Sequence, residues 1–514
     1  MTPLFSRLII LNIDGLRPDV LAESLADGGV PNLSALLRPH YFCEPVVSAA
    51  PSTTFTCQGS MLIGAPPQRH GIVGNQFFDR LGNGSDGRAK HVGLDIGDAL
   101  SYDDAVAVFS GKVGLADRLM PGDSPTIFEA VGRFGWTSAA VHFMYGRGAT
   151  IWERPSLIDL ARFKTGRGVF GLHPAAFDRR MVEKFRRMVQ QVGVLNLSLL
   201  YFMGLDTTSH REGPSAQRPY LEQAIDPLIG EILQILADHQ ALAGTVFLIM
   251  SDHGQIAVSA DERHALRMGN LLSRGHESFG VALRGVGGRV HQFLVSEERS
   301  DIVFAPNGGL AHLYLRIPNG PWREAAPFNE RVLPAARHLI APRGDESEPL
   351  IEPESLAAVL VRDTARYGWH APYQAISTSG ELVSLERFFE GPSFAGYSEP
   401  VARLNRLATA ESGDILLLAN GERGFYFGAP YLGQHGGLLH DESLCCFAIG
   451  APSLSREGWV ELETTIASTL RSQRHGDGRD FNMLSDIAPL ITNLVEDATR
   501  TMRPPRVANS GAAQ

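Results

Sequence analysis

An α/β fold, built on a mostly parallel central sheet with helices on both faces, follows from three apolar runs that each end in an acidic residue. RLIILNI (7–13) runs into Asp14, LNLSLLYFMGLD (195–206) ends on Asp206, and TVFLIMSDHG (245–254) delivers Asp252 and His253. Uninterrupted apolar, β-branched runs are what parallel strands need when both faces of the sheet are covered. Between the last two, residues 215–240 carry Leu221, Ile225, Leu228, Ile229 and Ile232 at helical spacing. A strand–helix–strand unit of this length implies a right-handed parallel crossover. Open sheets of this kind bind ligands at the carboxyl ends of their strands, where all three acidic tips lie.

The other elements fall around that frame. CQGSMLIG after Thr54 reads as the first turns of a helix, with Thr54 just before it. Its N-terminus offers free N–H groups and the positive end of a dipole to an incoming phosphate. SPTIFEAVGRFG (124–135) and GWTSAAVHFM (135–144) read as a helix feeding another buried strand. DIVFAPNGGLAHLYLRI (301–317) is predicted to be a hairpin turning at Asn307-Gly308-Gly309, and DIAPLITNLV (486–495) a closing helix. Residues 145–194 and 260–350 are less regular and rich in Gly, Arg and Pro, which predicts inserted cap segments on one domain spanning 1–500. The tail 501–514 is expected to fray.

Three aspartates and three histidines recur in short motifs: Asp14 in NIDG, Asp206 and His210 in GLDTTSH, Asp252 and His253 in SDHGQ, and His435 in GQHGG. Asp206 and His210 stand four apart and share a face on one helical turn. His435 is flanked by Gly433, Gly436 and Gly437, as an irregular site loop would be; His440 is its rival. This set meets the ligand demand of two neighbouring divalent metals. A hydroxyl such as that of Thr54 becomes a nucleophile at neutral pH only when a base or a metal removes its proton. Two metals ~4 Å apart can do so while clamping the attacking and leaving oxygens of a phosphoryl group. Mixed carboxylate and imidazole ligands suit Zn2+, with Mn2+ or Fe tolerated.

Composition narrows the class. The chain has 514 residues, 44% hydrophobic and 20% charged, which is ample for a globular core. Its net charge of −10 argues against binding to polymeric nucleic acid but not against a small phosphate ester. The start MTPLFSRLIILNIDG lacks the pattern of a secretory signal, and no stretch approaches 18 uninterrupted apolar residues. Four cysteines, two of them the adjacent Cys445 and Cys446, make no disulfide framework, so a cytoplasmic enzyme without a membrane partner is expected.

In this order the motifs resemble the alkaline phosphatase superfamily. They are most similar to its nucleotide pyrophosphatase/phosphodiesterase branch and to the related phosphonoacetate hydrolases. The stretch that carries the likeness is PSTTFTCQGSMLIGAPPQRHGIVGN, with Thr54, Gly64, His70-Gly71-Ile72 and Asn75 in the family's positions. The resemblance implies an alkaline-phosphatase-like fold and a phospho-threonine intermediate on Thr54. It implies one metal held by Asp14, Thr54, Asp252 and His253, and a second by Asp206, His210 and His435. It also implies substrate contacts from Phe55 and Asn75; Phe55 would stack on a base or aryl leaving group, or pack under the helix. The branch usually places an Asn three residues after the nucleophile, where this chain has Cys57, so Gln58 or backbone N–H groups would substitute. Sulfatases need a Cys or Ser followed by Pro and Arg, which TFTCQ lacks. The expected reaction is cleavage of a phosphodiester or pyrophosphate. Phosphonate hydrolysis is the alternative, and a metal-binding relative without turnover is the third reading. No arginine lies nearer Thr54 than Arg69, which predicts diesters over monoesters unless Arg147, Arg154 or Arg167 folds over the site.

Overall fold

A computed structural model describes residues 4–84, 87–95, 102–165, 171–266, 281–283, 301–340 and 353–502. Its centre is a seven-stranded sheet built from β1 (Arg7–Ile13), β2 (Tyr41–Cys43), β3 (Ser138–Val141), β4 (Ile151–Glu153), β5 (Leu197–Phe202), β6 (Thr245–Met250) and β7 (Phe447–Gly450). The spatial order is β2-β7-β6-β1-β5-β3-β4. β1 pairs in parallel with both β5 and β6, and β3 pairs in parallel with β4 and β5. Only β7 runs the opposite way, pairing antiparallel with β6 on one side and with the edge strand β2 on the other.

The three apolar runs form the middle of this sheet because both of their faces are covered. Along β1, Leu8 and Ile10 enter one hydrophobic core while Ile9, Leu11 and Ile13 enter the other. The same alternation sends Val246, Leu248 and Met250 one way and Phe247 and Ile249 the other. A polar face was never possible for these strands, which is why their sequences do not alternate.

Residues 145–194 do not form the expected insert. They supply β4 and the helix Pro174–Val192, whose Met181, Val182, Phe185, Met188 and Val189 bury against the sheet. The arginines that suggested a cap occupy that helix's outer face: Arg179 and Arg186 both pair with Glu231. The second irregular region belongs to a separate seven-stranded sheet. Its described strands run from Val281–Leu283 to Ile415–Ala419, well past residue 350. Ile302–Asn307 and Leu310–Leu315 are the expected hairpin, paired antiparallel through Gly308-Gly309. Residues 267–280, 284–300, 341–352 and the tail 503–514 lie outside the described part. Among the described residues no helix is long and apolar enough to cross a membrane.

Candidate functional site

Every motif of the sequence converges at the carboxyl end of the central sheet. Asp14 follows β1 directly, and its N–H donates to Phe202 O at the end of β5 (2.9 Å). Gly15 turns the chain with φ 71°; a Cβ there would lie 3.0 Å from Asp206 Oδ1, so only glycine fits. Asp206 and His210 sit on α1 (Gly204–Glu212) rather than on the strand tip itself, one turn apart. Asp252 and His253 follow β6. His435 follows Gly433–Gln434, which pairs antiparallel with Ile256–Ala257. The hairpin turn of the second sheet braces this loop: Gly309 N–H donates to His435 O (2.9 Å). Gly436, with φ 106°, leaves no room for a Cβ beside Asn307 O.

The six residues form two triads. In one, His253 Nε2 lies 3.3 Å from Asp14 Oδ1 and 3.6 Å from Asp252 Oδ2. In the other, His210 Nε2 lies 3.3 Å from Asp206 Oδ2 and 3.2 Å from His435 Nε2. The triads abut, with the His253 and His435 rings stacked at 3.7 Å. Within each triad the potential ligand atoms lie within 4.8 Å of one another.

Hydrogen bonding shows what these atoms are prepared for. Each imidazole donates its Nδ1–H to a backbone carbonyl: His210 to Gly433 O (2.7 Å), His253 to Gly254 O (3.0 Å) and His435 to Ser52 O (2.7 Å). A carbonyl only accepts, so the proton is on Nδ1 and the Nε2 lone pairs face inward. The carboxylates are divided in the same way. Asp252 Oδ1 accepts from Gly15 N–H and His253 N–H, and Asp14 Oδ2 from Tyr201 Oη–H, while Asp252 Oδ2 and Asp14 Oδ1 are buried without a hydrogen bond. Acceptors therefore face acceptors, an arrangement that costs free energy unless a cation lies between them.

The electrostatics agree. Burial, with repulsion from Asp252 and Asp206, raises the Asp14 carboxyl well above the usual range. Burial opposes ionisation of Asp206 too, but the His210 imidazole beside it on the same helix outweighs that and holds the carboxyl low. Burial and the neighbouring His253 push His435 far below the ordinary imidazole value, so it is neutral. Inward-facing imidazole Nε2 atoms and bare carboxylate oxygens are the donor set of a divalent-metal site.

Thr54 opens the buried helix α2 (Thr54–Ile63), and its Oγ1 lies 3.3 Å from His253 Nε2. Asn75 Oδ1 accepts from Phe55 N–H (3.0 Å), and Asn75 Nδ2 donates to Asp95 (3.3 Å). Asn75 thus orders the first turn of the helix that Thr54 opens, with its amide next to Asp95 at the cleft. Phe55 lines that cleft, an opening of about 890 Å³ with solvent at its mouth included, and Tyr145 Oη donates to Phe55 O. Leu94, Phe109, Met144, Phe163 and Met203 continue the apolar wall, while Asp95, Thr207, Arg211 and Tyr431 line the remainder.

Two expectations are corrected. Gln58 is no stand-in for the missing amide: it is fully buried and exchanges two hydrogen bonds with Asn12 (2.7 and 3.3 Å). Cys57 is buried on the helix's inner side, with its thiol pushed far up by burial. Among the named arginines, Arg147 is held by Pro121 O and Ser124 O, and Arg154 by Gly111 O; Arg167 lies outside the described residues. His440 is exposed, bonded to Ser398 Oγ (2.6 Å), and takes no part in either triad. His70 is neutral and structural: burial lowers it to about 3, and it bonds Ser60 Oγ and Ile72 N–H.

Three residues escaped the sequence reading. Tyr201 supports Asp14, Gln255 donates to Asp206 Oδ1, and Arg211 reaches the cleft. Gln255 had a signal, two residues past His253 in SDHGQ. Tyr201 had none, since a tyrosine in a buried strand reads as core.

Known proteins share the sequence pattern and the fold. A pyrophosphatase/phosphodiesterase of Schizosaccharomyces pombe, itself uncharacterized, is 24% identical over 353 residues, covering 64% of this chain and 62% of that protein. The matched stretch thus spans less than two thirds of that relative's length. Murine ectonucleotide pyrophosphatase/phosphodiesterase 5, solved as an inactive threonine-to-alanine variant with AMP, superposes with TM-score 0.54 at 13% identity, over 96% of this chain and 95% of that one. Phosphonoacetate hydrolase from Sinorhizobium meliloti 1021, solved with phosphonoformate, gives TM-score 0.51 at 17% identity over 97% of both chains. At such identities these two establish a shared fold. The family described as type I phosphodiesterase / nucleotide pyrophosphatase matches residues 8–341, more than half of the chain, and the protein belongs to that family.

Proposed function

We propose that this protein hydrolyses phosphodiester or pyrophosphate bonds with Thr54 as nucleophile and two divalent metals as cofactors. The observation that carries this is the inward-facing Nε2 of three imidazoles, each locked by an Nδ1–H bond to a carbonyl, beside two bare carboxylate oxygens. Asp14, Asp252, His253 and Thr54 would hold one ion, and Asp206, His210 and His435 the other. When bound, such a pair would lower the pKa of the threonine hydroxyl and neutralise charge on the phosphoryl and leaving oxygens.

The chain's own groups supply the rest. Thr54 Oγ would attack phosphorus in line with the leaving oxygen, forming the Oγ–P bond as the P–O bond to the leaving group breaks. Water would then open the phospho-threonine, releasing the phosphorylated product and restoring the hydroxyl. The α2 N-terminus would face the phosphoryl group with its positive end, and the Asn75 amide would be a side-chain donor beside it. Tyr201 and Gln255 orient Asp14 and Asp206 from behind. Phe55 and the apolar wall shield the reacting centre from water. AMP in the murine relative and phosphonoformate in the bacterial one indicate ligands of a size this cleft would take. All six ligand positions and the hydroxyl are assembled, which disfavours a relative without turnover.

The test is a substrate panel: a bis-aryl phosphodiester, an aryl monoester, a nucleoside triphosphate and phosphonoacetate, with metal analysis of the same sample. Close to two divalent ions per chain, activity lost in strong chelator, and turnover of the diester or triphosphate are expected. Full activity in metal-free protein, or a monoester as the best substrate, would overturn the reading.

A further inference from the structure

We infer that Arg211 is a specificity-determining residue that receives a second anionic group carried next to the scissile phosphorus. The preferred substrate is then a pyrophosphate, or a phosphonate bearing a carboxylate, over a diester with uncharged flanks. This rests on the phosphoryl-hydrolysis reading above and deepens it.

The geometry comes from α1. Asp206 and His210 form one stripe of that helix, and Thr207 and Arg211, also four apart, form the adjoining stripe. All four line the same cleft. Arg211 therefore opens into the same cleft as the two residues that would face the phosphoryl group, from the neighbouring stripe of the helix.

Arg211 is partly buried, and it makes no hydrogen bond or ion pair with any described residue, although Asp14, Asp95 and Asp206 line the cleft with it. Among the lining residues it is the only arginine, and there is no lysine. The other arginines considered are committed elsewhere. Arg147 bonds the carbonyls of Pro121 and Ser124, Arg154 those of Phe109 and Gly111, and the buried Arg403 bonds Ser48, Ser443 and Ala49. The apolar lining residues Phe55, Phe109, Phe163 and Met203 offer no side-chain partner for a negative charge. Arg211 has the planar fork that matches a phosphate or carboxylate with two parallel bonds. An arginine in the last turn of a helix also suits the negative end of the dipole, so the test must read discrimination rather than stability.

The test measures kcat/KM for ADP, phosphonoacetate and bis(4-nitrophenyl) phosphate in wild type, Arg211→Ala and Arg211→Lys. Loss of a charge-assisted bidentate contact should lower the ratio of the anion-bearing substrate to the aryl diester roughly 10–100-fold in Arg211→Ala. Arg211→Lys should restore part of it, because a single ammonium keeps the charge and loses the fork. A fall confined to ADP identifies the pyrophosphate as the source of the anion; a fall confined to phosphonoacetate identifies the carboxylate. A ratio unchanged for both substrates overturns the assignment. If wild type turns over none of the three, the hydrolytic reading fails separately. Calorimetry with Thr54→Ala protein then decides the present point: tighter binding of ADP than AMP that disappears on adding Arg211→Ala supports it, and a preference that persists refutes it.

Discussion

Replacing Tyr201 by Phe removes one oxygen from behind the Asp14, Asp252 and His253 triad and leaves the ring. Tyr201 is fully buried on β5, and its ring packs edge-on against Phe143 at 5.8 Å, so the aromatic core should survive. What is lost is the donor to Asp14 Oδ2. Asp14 Oδ1 already has no hydrogen bond, so the variant leaves a buried carboxylate whose two oxygens are both unsupported. A hydrogen bond to a charged group contributes about 1.5–3 kcal/mol. Through a residue behind a metal ligand this translates into a loss of roughly 10–100-fold in metal affinity. Elemental analysis after dialysis against graded chelator would measure it. Tyr220→Phe is the control, because Tyr220 donates to Asp178 Oδ2 (2.9 Å) and touches no member of either triad. If Tyr201→Phe retains metal as tightly as wild type while Tyr220→Phe does too, Asp14 does not depend on this bond and the ligand assignment is at fault.

Three other outcomes follow from the same geometry. Thr54→Ala should keep its fold and metal yet lose turnover on the order of 10³-fold or more, with Thr54→Ser retaining measurable activity; appreciable hydrolysis by the alanine variant would move the nucleophile elsewhere. His435→Ala should strip one metal site, whereas the exposed His440→Ala should shift affinity only about twofold; equal losses would reverse the choice between them. Asp178 is fully buried, and burial raises its carboxyl to about 7 against donation from Tyr220, Gly204 and Met203. The native state thus holds this proton more tightly than the unfolded chain, so the group's contribution is full below the unfolded value near ~3.9. It is lost as pH rises through about 7. Asp178→Asn, which keeps Oδ1 as an acceptor for both N–H groups, should remove a slope of ~1.4 kcal/mol per pH unit between those values. Parallel stability–pH curves for the two proteins would show that the carboxyl does not titrate there.

The central sheet and the two clusters of candidate ligands were legible in the residues because both leave local marks. A parallel strand covered on both faces must be apolar at every position, so RLIILNI and TVFLIM announce themselves, and a ligand at a strand's end sits at the boundary of that run. His435 was legible through glycines that its loop needs to pass Asn307 O and Gly309. The rest depended on contacts between distant segments. The helix Pro174–Val192 read as a cap because its arginines dominate the composition, while the stripe that packs on the sheet is visible only against the sheet. Tyr201, a core tyrosine by sequence, is 187 residues from the carboxylate it supports. Gln58 was a candidate donor until Asn12, 46 residues away, proved to occupy its amide. Arg211, next to His210, carried no sequence signal, since nothing in a linear chain tells which stripe of a helix faces a cleft. Periodicity and strand burial are properties of neighbours in sequence, and those the chain alone determines. Which donor meets which acceptor is set by packing of segments hundreds of residues apart, and that only the folded structure decides.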